Sequence, residues 1–139
     1  MNGNIKTVEA PTIEEISSYA FDDCDNLETI LLKNCKSINA HAFSNCNSLT
    51  SVYLPDNLHN IYAYAFSDCK NLESLSINNL PKGTTTNIAD SSFIGCPKLY
   101  KIQYRGTMKQ FKENESAYIQ YKEAFKYKLI SCDDGTIQF

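Results

Sequence analysis

Apolar residues recur along this chain in a fixed pattern. Four phenylalanines, Phe21, Phe43, Phe66 and Phe93, follow one another at intervals of 22, 23 and 27 residues. Five residues before each stands an isoleucine: Ile16, Ile38, Ile61 or Ile88. One residue before each stands Ala20, Ala42, Ala65 or Ser92. Three residues after each comes Cys24, Cys46, Cys69 or Cys96, and three further on Leu27, Leu49, Leu72 or Leu99. The template then runs through Ile30, Val52, Leu75 and Ile102 to Leu32, Leu54, Ile77 and Tyr104. Written once, the unit is I-x-x-x-A-F-x-x-C-x-x-L-x-x-I-x-L, and self-similarity at such a period marks a repeat array. A partial copy opens the chain, where Ile5, Val8, Ala10, Pro11 and Ile16 shadow Leu49, Val52, Leu54, Pro55 and Ile61 with one residue fewer.

The spacing predicts the elements. The end of the unit, L-x-x-I-x-L, alternates inward and outward as a short strand does, so each repeat adds one strand to a parallel sheet at ~4.8 Å spacing. The stretch A-F-x-x-C-x-x-L has apolar residues three apart, which suits a single helical or 3₁₀ turn on the opposite side. One repeat alone cannot bury its Phe, Ile and Leu, whereas stacked copies bury them on one another. Ahead of the fourth copy, Asn78 to Asn87 carry Pro81, Gly83 and three threonines, the composition of a surface loop. Beyond Thr107 the period stops. Thr107 is placed to N-cap a short helix holding Met108 and Phe111, and a second helical stretch holds Tyr118, Tyr121 and Phe125. A hairpin follows, with Tyr127 and Leu129 in one strand, Asp134-Gly135 as the turn, and Ile137 and Phe139 returning. The expected architecture is therefore of the α/β class: a solenoid with a parallel concave sheet and short helical or 3₁₀ turns on the convex side. Residues 1–107 are the solenoid, and residues 108–139 a helix and β-hairpin capping unit of the same domain. That cap covers the last core face and sheet edge, while the opening half-repeat has no equivalent.

The segments AFDDCDNLETILL, AFSNCNSLTSVYL, AFSDCKNLESLSI and, more loosely, SFIGCPKLYKIQY resemble the BspA-type leucine-rich repeat, a bacterial variant also seen in some protists, from Ile5 to Arg105. The next stretch, YRGTMKQF, is similar to the Y-x-G-T-x-x-x-W/F ending of many such arrays, with Phe111 in the aromatic slot. The run from Leu129 to Thr136 resembles the cysteine and D-G tail of the same cap. The resemblance implies a curved right-handed solenoid, often part of a cell-surface or adhesion protein that binds other proteins and does no catalysis through its repeats. The N-terminus, Met-Asn-Gly-Asn-Ile, lacks the basic start and apolar stretch of a secretory signal. The expected location is thus the cell surface or the exterior by resemblance, and the cytoplasm if the chain is complete.

Composition narrows the function classes. Of 139 residues 42% are apolar, enough for one core, and no run approaches the ~20 apolar residues that membrane insertion needs. A net charge of −3 implies no general attraction to nucleic acid. The charge is uneven: Met1 to Ile30 hold seven acids and one base, and Lys98 to Ile130 eight bases and three acids. The four repeat cysteines share one column, have no C-x₂-C zinc spacing and point the same way, so they read as buried free thiols, with Cys35 in the slot of Leu58 and Cys132 in the cap. His41 and His59 fall in different columns and read as solvated. Glu14-Glu15 and Asp22-Asp23-Asp25 lack the EF-hand spacing and read as a solvated face. Neither a phosphate loop nor a G-x-S-x-G occurs. No cofactor is expected, and no enzymatic activity.

Function is expected on the outward strand positions: Thr7 and Glu9; Thr29, Leu31 and Lys33; Ser51 and Tyr53; Ser74, Ser76 and Asn78; Lys101, Gln103 and Arg105. Leu31 and Tyr53 are adjacent in the central column, an apolar–aromatic pair able to anchor a protein partner. Lys101 and Arg105 make the C-terminal end positive. Tyr62 and Tyr64, with Tyr19, either form an aromatic surface strip or pack on neighbouring turns. The alternative to partner binding is self-association through the uncapped N-terminal edge, as a homodimer or end to end.

Overall fold

The structure, a computed structural model, describes residues 4–78, 86–113, 125 and 129–138. Tyr118, Tyr121, Tyr127 and Phe139, together with most of the insertion before the fourth repeat, lie outside the described residues.

Each repeat makes one coil with a longer strand on one side and a two-residue strand on the other. The longer strands are β1 (Thr7–Glu9), β3 (Thr29–Leu31), β5 (Ser51–Tyr53), β7 (Ser74–Asn78) and β9 (Lys101–Arg105), and these form the broad sheet that the sequence assigns to the concave side. The short ones are β2 (Glu15–Ile16), β4 (Ser37–Ile38), β6 (Asn60–Ile61) and β8 (Asn87–Ile88), a narrow parallel sheet in the order β2-β4-β6-β8. Periodicity reasoning sees Ile16, Ile38, Ile61 and Ile88 as core but not as a sheet, because a two-residue strand is too short to show alternation. The chain is thus a parallel-strand leucine-rich-repeat solenoid. Equivalent residues pair in register: Val8 with Ile30, Val52 with Leu75, Leu75 with Ile102, and Ile16 with Ile38, all buried.

The A-F-x-x-C-x-x-L segments are successive tight turns rather than helical ones. Ala20 N–H donates to Ser17 O and Leu27 N–H to Cys24 O, and the later coils repeat both bonds. Two positions in each of the first three Phe coils are left-handed: Tyr19 and Asp23, His41 and Asn45, Tyr64 and Asp68, with φ between 56° and 61°; in the fourth Gly95 stands at 75°. A left-handed residue every four positions stops any right-handed helix from continuing. The freed amides bond between coils instead, as Phe21 N–H does to Ala42 O and Phe43 N–H to Ala65 O, both at 2.8 Å.

Two columns run down this edge. The Phe21, Phe43, Phe66 and Phe93 rings stack in parallel with centroids 5.2, 5.3 and 5.2 Å apart, and Phe125 closes the file tilted at 5.7 Å from Phe93. Beside them the thiols of Cys46, Cys69 and Cys96 donate to the carbonyls of Phe21, Phe43 and Phe66, one coil back, at 3.3, 3.2 and 3.0 Å. That bond accounts for cysteine in the slot: a small apolar group with one weak donor meets a carbonyl that burial would otherwise leave unsatisfied.

At the far end, helix α1 (Met108–Glu113) starts with a reciprocal capping box: Thr107 N–H donates to Gln110 Oε1 at 2.8 Å, and Gln110 N–H to Thr107 Oγ1 at 3.1 Å. Phe111 is fully buried, edge-on to Tyr104 at 4.9 Å. Strands β10 (Leu129–Cys132) and β11 (Gly135–Gln138) form the expected hairpin, and β10 extends the broad sheet by pairing parallel with β9. Its turn sits one residue earlier than expected. Cys132 pairs with Gly135, so Asp133 and Asp134 make the bend. Asp134 is thereby placed to accept the Met108 N–H at 2.7 Å, and Gly135 leaves room for the Met108 methyl, which a Cβ would meet at 2.8 Å.

Candidate functional site

The broad sheet is not continuous. Strands β1 and β3 form one ladder and β5, β7, β9, β10 and β11 another, in that spatial order, while the narrow sheet and the Phe file pass the junction unbroken. Coil length also changes at this junction. From Leu54 to Ile61 the chain is one residue longer than from Leu32 to Ile38, the difference between the 23- and 22-residue Phe intervals. The longer coil turns through Pro55–Leu58, closed by Leu58 N–H to Pro55 O at 3.1 Å. The ladder parts between β3 and β5, whereas β5 and β7 stay paired although the stretch from Ile77 to Ile88 is longer still.

The parting opens a cleft of about 260 Å³, lined by Ile30, Leu31, Leu32 and Lys33 on one wall and Tyr53, Leu54, Pro55 and Asp56 on the other. Leu31 is 45% and Tyr53 57% exposed. The pair singled out from the sequence therefore flanks an opening rather than sitting side by side on a flat sheet. At the starts of the same strands lies a second, polar depression of about 470 Å³ among Glu28, Asn47, Ser48, Thr50, Asn71 and Glu73.

Across the larger ladder the outward residues form rows. Ser51, Ser74, Lys101 and Leu129 share one row, and Tyr53, Ser76, Gln103 and Ser131 the next. Thr29 and Thr7 pair on the smaller ladder, as do Leu31 and Glu9. Thr29, Lys101, Gln103 and Arg105 are exposed, and Ser51 and Ser74 half-buried. Arg105 places its guanidinium 5.8 Å from the centre of the Tyr53 ring, across two strands. Ser76, expected as an open surface residue, is only 7% exposed, because β7 lies between Tyr53 and Gln103 in register and both are larger. Leu129, 46% exposed in the Lys101 row, joins this face without any signal in the repeat pattern, since its strand follows the end of the repeat.

The other candidate chemistry separates in space. His41, expected in solvent, is stacked between Tyr19 and Tyr64 at 4.8 and 4.9 Å, because all three stand two residues before their Phe in the same left-handed slot. That shared offset is the signal that places His41 with the aromatic strip, whereas Tyr62 lies outside it. His59 is exposed, its Nδ1 2.5 Å from Asn57 O. Every cysteine is buried and none forms a disulfide. Burial pushes the Cys24, Cys35 and Cys132 thiols up from their ordinary value and the Cys46 thiol up to about 12. Cys69 is raised further, by its neighbour Cys96 first and by burial second. Thiols held neutral in this way are poor nucleophiles at neutral pH. Among the described residues, no three His, Cys, Asp or Glu side chains converge as metal ligands, and no helix is long and apolar enough to cross a membrane.

This stacked-coil architecture with one open sheet face is that of leucine-rich-repeat proteins. The family model for the BspA type leucine rich repeat region matches residues 1–123 in six copies, and the chain belongs to that family. A leucine rich cell surface protein from Faecalibacterium prausnitzii A2-165 superposes with a TM-score of 0.60 at 23% identity, over 78% of this chain and 34% of that one. A leucine-rich repeat protein from Bacteroides ovatus ATCC 8483 gives 0.46 at 25% identity, over 73% and 33%. The chain spans about a third of the length of either. No curated protein matches it.

Proposed function

We propose that the chain is a non-catalytic module that binds a protein partner across its broad sheet, with the Leu31–Tyr53 cleft as the anchor. The observation that carries this reading is the cleft itself: an apolar-walled opening where the ladder parts, with a half-exposed leucine and a half-exposed tyrosine at its mouth. Interfaces concentrate binding energy in a few aromatic and aliphatic anchors seated in pockets, with small polar residues around them. Ser51, Ser74, Gln103 and Thr29 supply that surround, leaving the sheet approachable. Family membership supports the reading, and the Faecalibacterium cell-surface protein that shares the fold makes surface display part of the proposal.

The test begins with peptides selected from a phage-displayed random heptapeptide library on the immobilised chain. Binding of Leu31→Ala/Tyr53→Ala to those peptides is expected to weaken by about thirtyfold or more, the loss of a hot-spot anchor. The melting temperature should stay within a few degrees of the parent, since neither side chain is core. Unchanged affinity in the double variant removes the concave-face reading.

A second reading is self-association through β1. Among the described residues β1 is an outer strand, bonded to β3 alone, and unpaired strand edges recruit other strands. The nearby coils carry Glu14, Glu15, Asp22, Asp23 and Asp25, opposite in sign to Lys101 and Arg105 at the other end. Head-to-tail assembly then predicts a light-scattering mass that rises with concentration in low salt and falls back in high salt. A monomeric mass in both conditions excludes it.

A further inference from the structure

The broad sheet holds one polar group that the fold leaves unanswered. Ser76 is 7% exposed, and its Oγ has no hydrogen-bond partner among the described residues. It lines a pit of about 20 Å³ together with Ser51, Val52, Tyr53, Ser74, Leu75 and Gln103. A buried hydroxyl without a partner is unfavourable, so such positions call for an incoming group. The pit has room for a single oxygen-sized atom.

The surroundings specify that atom's charge. In the β9 register Gln103 stands beside Ser76, with Lys101 two residues before it and Arg105 two residues after, and the Arg105 guanidinium lies 5.8 Å from the Tyr53 ring centre. None of the described outward residues of β5, β7 and β9 is acidic. Ser51, Ser74, Ser76 and Gln103 supply the polar part of the lining, and Lys101 and Arg105 stand two residues to either side of Gln103 on β9. Donors and positive charge dominate, and an ionised carboxylate is the side-chain group that only accepts. A neutral water fills such a pit without using the flanking cations.

We propose that the Ser76 pit is a socket for one Asp or Glu side chain of an extended peptide segment laid across β5, β7 and β9. One carboxylate oxygen enters against Ser76, and Arg105 and Lys101 neutralise the charge at the rim. The proposal rests on the concave-face reading and adds to it the chemistry of the partner.

Heptapeptides selected by phage display on the chain, resynthesised with amidated C-termini and titrated calorimetrically, test it. Tyr53-dependent binders are expected to share an Asp or Glu at one position. Replacing that acid by Asn or Gln should weaken binding about tenfold, the size of one charge-assisted contact. Ser76→Ala and Arg105→Gln should each remove much of the difference between the acidic and amide peptides while leaving the melting temperature unlowered. Tyr53-dependent binders with no shared acid, or an acid whose advantage survives both variants, overturn the socket and leave the concave-face reading standing. A selection that yields no Tyr53-dependent binder overturns both.

Discussion

Phe66→Ala is expected to lower the unfolding free energy by about 3–5 kcal/mol, as truncating a fully buried aromatic does. The Phe66 ring is inaccessible to solvent and stacked between Phe43 at 5.3 Å and Phe93 at 5.2 Å. Its carbonyl accepts the Cys96 thiol and its amide donates to Ser92 O, so its backbone and side chain both join neighbouring coils. Because each coil touches only its neighbours, the cavity falls on the two interfaces that hold the array together. Domains of this kind rest on about 5–15 kcal/mol in total, so the variant loses a large share. Equilibrium urea unfolding measures it, and the denaturant slope tells whether the array now separates into two units. A loss below about 0.5 kcal/mol, the range of surface substitutions, would show that the aromatic file does not hold the coils together.

The second large effect is alkaline unfolding. Cys24, Cys35, Cys46, Cys69 and Cys132 all ionise in the folded chain above the ordinary thiol value of 9.0. Between that value and about 12, where Cys46 titrates, the unfolded chain has released thiol protons that the folded chain retains. The unfolded state then binds fewer protons, so stability falls as pH rises. The contribution is complete below pH 9 and is lost upward from there. Melting followed by circular dichroism should be level in this contribution from pH 7 to 9 and drop steeply beyond it, and Cys46→Ala plus Cys69→Ala should flatten the drop. A melting temperature unaffected up to pH 11 would mean that these thiols are not buried in neutral form.

The thiol and phenylalanine files are legible in the sequence because a stacked coil writes its contacts into its period. Residues about 22 positions apart touch, and the same residue type in the same slot of successive copies reports that they do. Val8, Ile30, Val52, Leu75 and Ile102 follow from alternation alone, and Thr107 as a helix N-cap from its place before Met108 and Phe111. Even the cap announces itself, as the place where the period ends. Legibility fails where neighbours differ. Asp133 and Asp134 form the bend because Asp134 reaches the helix start, a contact 26 residues away in sequence. His41 reads as solvated from residue type, and only its offset from Phe43, shared with Tyr19 and Tyr64, ties it to their stack.

The repeat, its core columns and the parallel strands are thus properties of the sequence by itself, since each needs only that like residues lie over like. The gap between β3 and β5, the burial of Ser76 and the reach of Arg105 over Tyr53 belong to the tertiary structure. They depend on how unlike neighbours pack, as where the small Ser76 lies between the larger Tyr53 and Gln103. A repeat pattern averages such differences away, and only the packed chain shows where the ladder parts and which side chain is covered.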